Sequence, residues 1–484
     1  MRKRSIGINA VLNVIKSGLS VIFPLVTYPY ALRVLGAVNI VKVSYSQSII
    51  SYFSLIAMLG ISTYGTREGA KKKKNSTEFE RFVSEVFSIN IFSTLLAYFL
   101  LALTLIFVDK FSNYRTLLLI QSLTIAFTTF GVDWVNQVFE DYFFITIRSI
   151  AAQVICMVLL FIFVRKPGDY YFYAFLSITT NLITCISNWF YSRRYVKIRF
   201  TLLPHWRVHM KPLIILFVSA AAISIYVNVD TTMLGWIKGD HDVGLYTVAV
   251  KVYSIVKTLL AAVYAVSVPR LASYAGNRQS TEYRNLYSSM WQYLSLIVIP
   301  AGIGLVCISE EVMIFMGGSE YTTATLALQI LAVALIFAIF GGLVTACLNI
   351  TLGREKVNLK ATIFSALINI GLNLVFIPWL SFVGAALTTA ISELFVLVFC
   401  VLKTKNLADY LDVAAVRKSL MHALTGSICI AIVAYGLKLV LTPGMYRIAI
   451  IIPACILVYL LILAIFRENI LCDVLKKLKT TEKE

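Results

Sequence analysis

Fourteen stretches of this chain are each long and apolar enough to cross a bilayer as a helix of about 20 residues, and they consume most of its 484 residues. They run over 8–30, 40–64, 83–108, 115–136, 144–164, 171–191, 212–236, 244–269, 286–308, 322–349, 357–379, 382–402, 418–440 and 446–466. A single soluble core could not hide a chain that is 59% hydrophobic. With lipid as solvent, each span must satisfy its own backbone, and a helix does so. The expectation is an all-α polytopic membrane protein with fourteen transmembrane helices and no soluble domain.

Charge gives the orientation. With the N-terminal MRKR placed inside, 31 of the 43 Lys and Arg fall in or beside inner segments and 9 in or beside outer ones. Lys16, Lys251 and Lys257 lie deep within spans. Cytoplasmic loops carry such an excess, so both termini are expected in the cytoplasm. The net charge of +19 then fixes orientation and faces anionic lipid, with no need of nucleic acid. KKKK at 71–74 reads as one such anchor. The first 30 residues begin like a secretory signal. Lys16 interrupts the run and no A-x-A site follows, so an uncleaved first span is expected. The eight cysteines are scattered without a C-x-x-C pair and read as apolar filler.

Two stretches look alike. VLGAVNIVKVSYS at 34–46 and MLGWIKGDHDVGLY at 233–246 each end a span on Leu-Gly, cross a short outer loop and start the next span. Gly36 and Gly235 are 199 residues apart, close to a six-helix unit. A parallel six-helix repeat predicts one lobe over 1–192, a cytoplasmic linker at 193–211, and a second lobe over 212–405. Two extra helices and a basic tail fill 406–484. Repeats of this kind place a transport path between the halves.

Ionisable groups within spans cost roughly 2.5–3.5 kcal/mol each on insertion scales and mark function or pairing. Asp230 and Lys251 lie ten residues before and eleven after Asp240, at similar depth across one hairpin. They read either as a structural ion pair or as a carboxylate, Asp230, free to exchange protons. Lys257 lies about 9 Å deeper than Lys251 and has no acidic neighbour in sequence. With Lys16 and Arg33 it extends a ladder of cations suited to an anionic, phosphate-bearing substrate. Snorkelling to the interfaces is the simpler reading of Lys16 and Arg33. Glu393 is a second buried carboxylate, at a cavity or a helix contact. Glu140 and Arg148 bracket an inner turn and are expected to clamp it. Trp134 suits an interface. His205 and His209 have H-x-x-x-H spacing without a third ligand and read as loop residues. No P-loop, G-x-G-x-x-G or G-x-S-x-G motif occurs. No cofactor and no enzymatic chemistry are expected. The energy is expected from a proton or sodium gradient, or from downhill supply of substrate.

FPLVTYPYALRVLGAVNIVKVSYSQSI (23–49), GISTYGTREGA (60–70), DWVNQVFEDYFFITIRSI (133–150) and GDYYFYA (168–174) are followed by VDTTMLG, VGLYTVAVKVYS and VPRLASY (268–274). In this order and spacing the chain resembles the Wzx-type polysaccharide flippases. Their superfamily also holds the MATE antiporters and the lipid II flippase MurJ. The resemblance, from about residue 5 to 470, implies two six-helix lobes in a V with pseudo-two-fold symmetry. It implies alternating access that carries an undecaprenyl-diphosphate-linked oligosaccharide, such as an O-antigen repeat unit, across the cell inner membrane. It suggests Lys16, Arg33, Lys251 and Lys257 as substrate contacts and the polysaccharide polymerase machinery as a partner. It matches Arg67 to a basic residue at the inner end of the second span, and Asp230 to an acidic residue of the seventh. Val41 stands where many relatives have Gly, while Gly244 is kept. A MATE-type antiporter, a lipid II flippase and a glycan polymerase are the alternatives.

Overall fold

A computed structural model describes residues 6–466 apart from 140, 203, 266, 277–279, 405–406, 443 and 445. Among the described residues there are helices and turns but no strand. In order these are α1 (Ile6–Leu35), α2 (Ala37–Met58), α3 (Ile61–Lys72), α4 (Ser76–Phe107), α5 (Arg115–Gly131), α6 (Asp133–Val138), α7 (Tyr142–Phe163), α8 (Tyr170–Ser192) and α9 (Trp206–Ile237). Then come α10 (Asp240–Ala265), α11 (Val268–Gly276), α12 (Ser280–Cys307), α13 (Ser309–Gly317), α14 (Thr325–Gly342), α15 (Glu355–Leu402), α16 (Leu407–Tyr410), α17 (Val413–Val440) and α18 (Tyr446–Ile465).

Fourteen membrane crossings follow from these elements. Among the described residues, eleven continuous helical stretches are long and apolar enough to cross a membrane, and Ile22–Leu35 of α1 is a shorter apolar helix. The 23-residue α8 carries more polar residues and supplies another. The last comes from α15, whose 48 residues are broken at Ser381 (φ 52°) three residues after Pro378. The two expected spans 357–379 and 382–402 therefore join tip to tip at Ser381. Large apolar side chains such as Leu95, Phe99, Ile106 and Phe107 lie exposed along α4, as lipid-facing residues should. The fold class is therefore the one the apolar runs imply.

Local chemistry sets the breaks. Gly36 (φ 76°) is the single residue between α1 and α2. Gly239 (φ 94°) parts α9 from α10. A side chain disfavours this left-handed backbone, so glycine is the natural residue at both joints. The structural counterpart of Gly36 is thus Gly239. Gly235, aligned with Gly36 by the Leu-Gly repeat, sits inside α9 instead. There an added Cβ would come 2.3 Å from the Tyr45 ring. Asn75, Asp141 and Asp412 cap α4, α7 and α17 by accepting from the backbone N–H of Glu78, Phe144 and Ala415.

By packing, the chain divides into two compact units, Met1–Gly244 and Leu245–Glu484. The division falls in the first turns of α10, so α9, which packs on α2 and α3, groups with the first unit. At that contact an added Cβ on Gly60 would lie 2.8 Å from Leu216 Cβ. The first unit centres on Ile61, Tyr64, Phe82, Val86, Trp134 and Leu213. Trp134, expected at an interface, is buried in this core. At one end of the unit the short connections meet. Lys110 donates to the Trp236 carbonyl, Tyr114 to Asp240, and Asn39 to the Pro167 carbonyl. In the second unit α14 packs on α15, and α12 packs on both α14 and α17. The C-terminal pair α17–α18 thus belongs to the body of that unit.

Candidate functional site

In the first unit the expected residues fall in different surroundings. Arg33 is exposed in the last turn of α1. Lys16 belongs to α1, but its side chain lies outside the described residues, as does Glu140 altogether. Asp230 is buried on α9. Two residues on, and turned by about 200°, Thr232 meets Tyr52 Oη at 3.1 Å and Ser48 Oγ at 3.4 Å. Arg67 is exposed and reaches its neighbour Glu68 at 3.0 Å.

Arg148 is buried, and its guanidinium meets Asp133 Oδ1 at 3.0 Å and also donates to Asn188. Asn188 and Gln137 donate to the two oxygens of Asp133 at 3.0 and 3.1 Å. The guanidinium thus ties α6, α7 and α8 together through Asp133, a partner that the spacing to Glu140 did not suggest. Beside it lies a cavity of about 230 Å³ lined by Ser62, Asn90, Thr128, Asp133, Asn181 and Thr184.

His205 and His209 are not mere loop residues. His209 is a buried part of α9. Its Nε2 lies 2.9 Å from Glu85 Oε2, and its Nδ1 lies 2.8 Å from Tyr64 Oη. His205 Nδ1 meets Glu85 Oε1 at 2.7 Å, and Arg81 Nε donates to the same oxygen at 3.0 Å. A His209 protonated on Nε2 can donate to the carboxylate while accepting from the tyrosine. The segment before α9 lies along α4 as well. The backbone N–H groups of Arg199 and Thr201 donate to Ser84 and Ser88 at 3.1 and 2.8 Å. The sequence signal for this cluster was the i, i+4 histidine pair together with an acid early in the third span. Among the described residues no group of three His, Cys, Asp or Glu could hold a metal ion.

In the second unit Lys251 is half-buried on α10. Lys257, one further turn and more along, has an acidic partner after all. Its Nζ lies 2.6 Å from Glu393 Oε1 on α15. Tyr253 donates to the same oxygen at 2.8 Å, and Lys257 lies 3.1 Å from the Tyr253 hydroxyl. Tyr253 and Lys257 are four apart and share one face of α10. Glu393 is therefore a helix-to-helix contact. A second buried acid, Glu311, receives Lys438 at 2.9 Å and Arg447 at 3.2 Å. Arg447 also donates to the carbonyls of Leu441 and Thr442, closing the turn between α17 and α18.

Two groups outside the spans are tuned by their neighbours. The backbone N–H groups of Arg165 and Lys166 donate to Asp169 Oδ2 at 3.0 and 3.1 Å and hold its carboxyl below the usual range. Burial, and then the Asp141 carboxylate, raise the Tyr195 hydroxyl above the ordinary phenol range.

Fourteen crossings define a multi-pass membrane protein, with charged residues inside its spans. Its fold is shared with a solved lipid II flippase MurJ in an inward closed conformation, at TM-score 0.76 and 16% identity, over 96% of this chain and 99% of that one. It is also shared with an inward-facing MATE multidrug resistance transporter of the MOP superfamily, at TM-score 0.62 and 15% identity, over 84% and 99%. The family model described as polysaccharide biosynthesis protein matches residues 6–275, more than half of the chain, which belongs to that family. A MatE model matches residues 216–375.

A Shigella dysenteriae protein named as an O-antigen transporter is 22% identical over 364 residues, covering 75% of this chain and 90% of that protein. A protein of Escherichia coli K12 with the same name is 23% identical, over 56% and 66%. A Haloferax volcanii protein named as a low-salt glycan biosynthesis flippase is 27% identical over 220 residues, and the match spans only 44% of that relative. These relatives are named as transporters or as a flippase, and none as an enzyme.

Proposed function

We propose that this protein flips undecaprenyl-diphosphate-linked oligosaccharide repeat units, of O-antigen or a similar surface polysaccharide, across a bacterial inner membrane by alternating access. The carrying observation is the match over most of its length to a relative named as an O-antigen transporter. The physics agrees with it. A glycan cannot cross hydrocarbon unaided, whereas the polyprenyl tail can remain in lipid. Lys16, Arg33, Lys251 and Lys257 are the candidate cations for the diphosphate. An ion gradient, of protons or sodium, drives the cycle, with Asp230 as the acidic candidate of the first unit. The termini face the cytoplasm, and released units pass to a polymerase.

The test is deletion of the gene followed by assay of lipid-linked intermediates on each leaflet. Intact units should accumulate facing the cytoplasm. Full units facing outward but unpolymerised would show a step after translocation and overturn the proposal.

A further inference from the structure

The Lys257–Glu393 pair is unequally buried. The lysine side chain is 34% exposed and the glutamate only 8%. A ligand can therefore reach the cation while the carboxylate stays behind it. Tyr253 serves both partners. It donates to Glu393, and the ammonium of Lys257 lies 5.3 Å from its ring centre. The link between α10 and α15 here is made by polar tips, with Tyr246 and Thr389 hydroxyls 3.2 Å apart one step up the same seam. Such contacts can be exchanged without reopening a packed apolar core.

We propose that Glu393 is an internal counter-ion standing in for substrate phosphate on Lys257, and that substrate loading exchanges one for the other with uptake of one proton by Glu393. The inference rests on the flippase reading and deepens it. A lysine ammonium pairs with carboxylate and phosphate oxygens by the same charge-assisted hydrogen bond. When a diphosphate oxygen takes Lys257, Glu393 is left as a buried carboxylate without its cation, an unfavourable state. A proton neutralises it, and no other bond forms or breaks. Tyr253 then positions the acid in either form. Among the described residues, Tyr253, Lys257 and Tyr264 on α10 are titratable groups that interact with Glu393. The packed span of α14 carries no charged residue. The first half of α15 keeps its charges, Glu355, Lys356 and Lys360, near its start, and Ser365 is the residue that meets the Ser392 carbonyl. Among the described residues, the other acids of α10 and α15 are Asp240, Asp242 and Glu355, all in the first turns of their helices.

The experiment measures binding of undecaprenyl diphosphate to the purified full-length protein from pH 5.5 to 8. Wild type should lose roughly tenfold in affinity per pH unit wherever Glu393 is ionised, the slope of one linked proton. Glu393→Gln should bind about tenfold more tightly than wild type at pH 8 and lose that slope. Lys257→Gln should bind weakly at every pH. Tyr253→Phe should keep the slope, since the tyrosine only positions the carboxyl and does not take up the linked proton. A Glu393→Gln protein that keeps the wild-type slope, or binds no more tightly, overturns the exchange while leaving the flippase reading intact. A wild type with no affinity for the diphosphate overturns both.

Discussion

Gly244 and Val41 show how one methyl group can decide a helix contact. An added Cβ on Gly244 would sit 2.5 Å from Val41 Cγ2, and Val41 is buried at 1% exposure. The branched side chain fills the space that the glycine leaves open, so the departure at 41 and the retention at 244 are complementary. Valine is stiff at χ1 and cannot swing away. Gly244→Ala should therefore destabilise the protein by about 1–3 kcal/mol through overpacking. Val41→Ala in the same chain should recover much of the loss, which thermal unfolding of the single and double variants in detergent would measure. Additive losses would show that the two residues do not share the space.

The same scale explains why part of the candidate site escaped sequence reading. Lys257 and Glu393 are 136 residues apart, and Glu85 lies 124 from His209. Nothing in local spacing joins such partners. Asp230 and Lys251 stood out because a charge inside an apolar run is visible without knowing its neighbours.

At the scale of elements, the joints are short and chemically specific. Pro167 lies within the turn before α8, and Asp169 closes that turn by accepting from two backbone N–H groups. Because the folded carboxyl binds its proton less readily than an ordinary aspartate, its contribution is complete above the unfolded value of about 3.9. It fades as pH falls through the lower folded value. Amide exchange in the turn, corrected for intrinsic rates, should therefore rise on acidification below about pH 4. Asp169→Asn should show the faster exchange at neutral pH as well. An unchanged pH profile in that variant would place the sensitivity elsewhere.

Helix boundaries were readable where lipid sets the length, which is why fourteen apolar runs became fourteen crossings. The break inside α15, at Ser381, falls between the apolar runs 357–379 and 382–402. The Leu-Gly repeat misled in detail. It paired Gly36 with Gly235, but the backbone needs a left-handed residue at Gly239, and Gly235 serves close packing on Tyr45.

At the scale of the whole molecule, lipid exposure and charge give a testable orientation. Lys74 lies exposed just before α4, and Ser112 lies exposed in the turn before α5 at the opposite end of the intervening span. In a background without the natural cysteines, Ser112→Cys should react with an impermeant maleimide in intact cells. Lys74→Cys should react only after permeabilisation. The reverse pattern would invert the topology.

The joint between α1 and α2 has a practical consequence. A single glycine between two helices gives an antibody or a protease no loop to grip. An epitope tag inserted there would have to unravel a helix end to be seen. The Asp109–Tyr114 turn at the same end of the first unit is the better place for a handle.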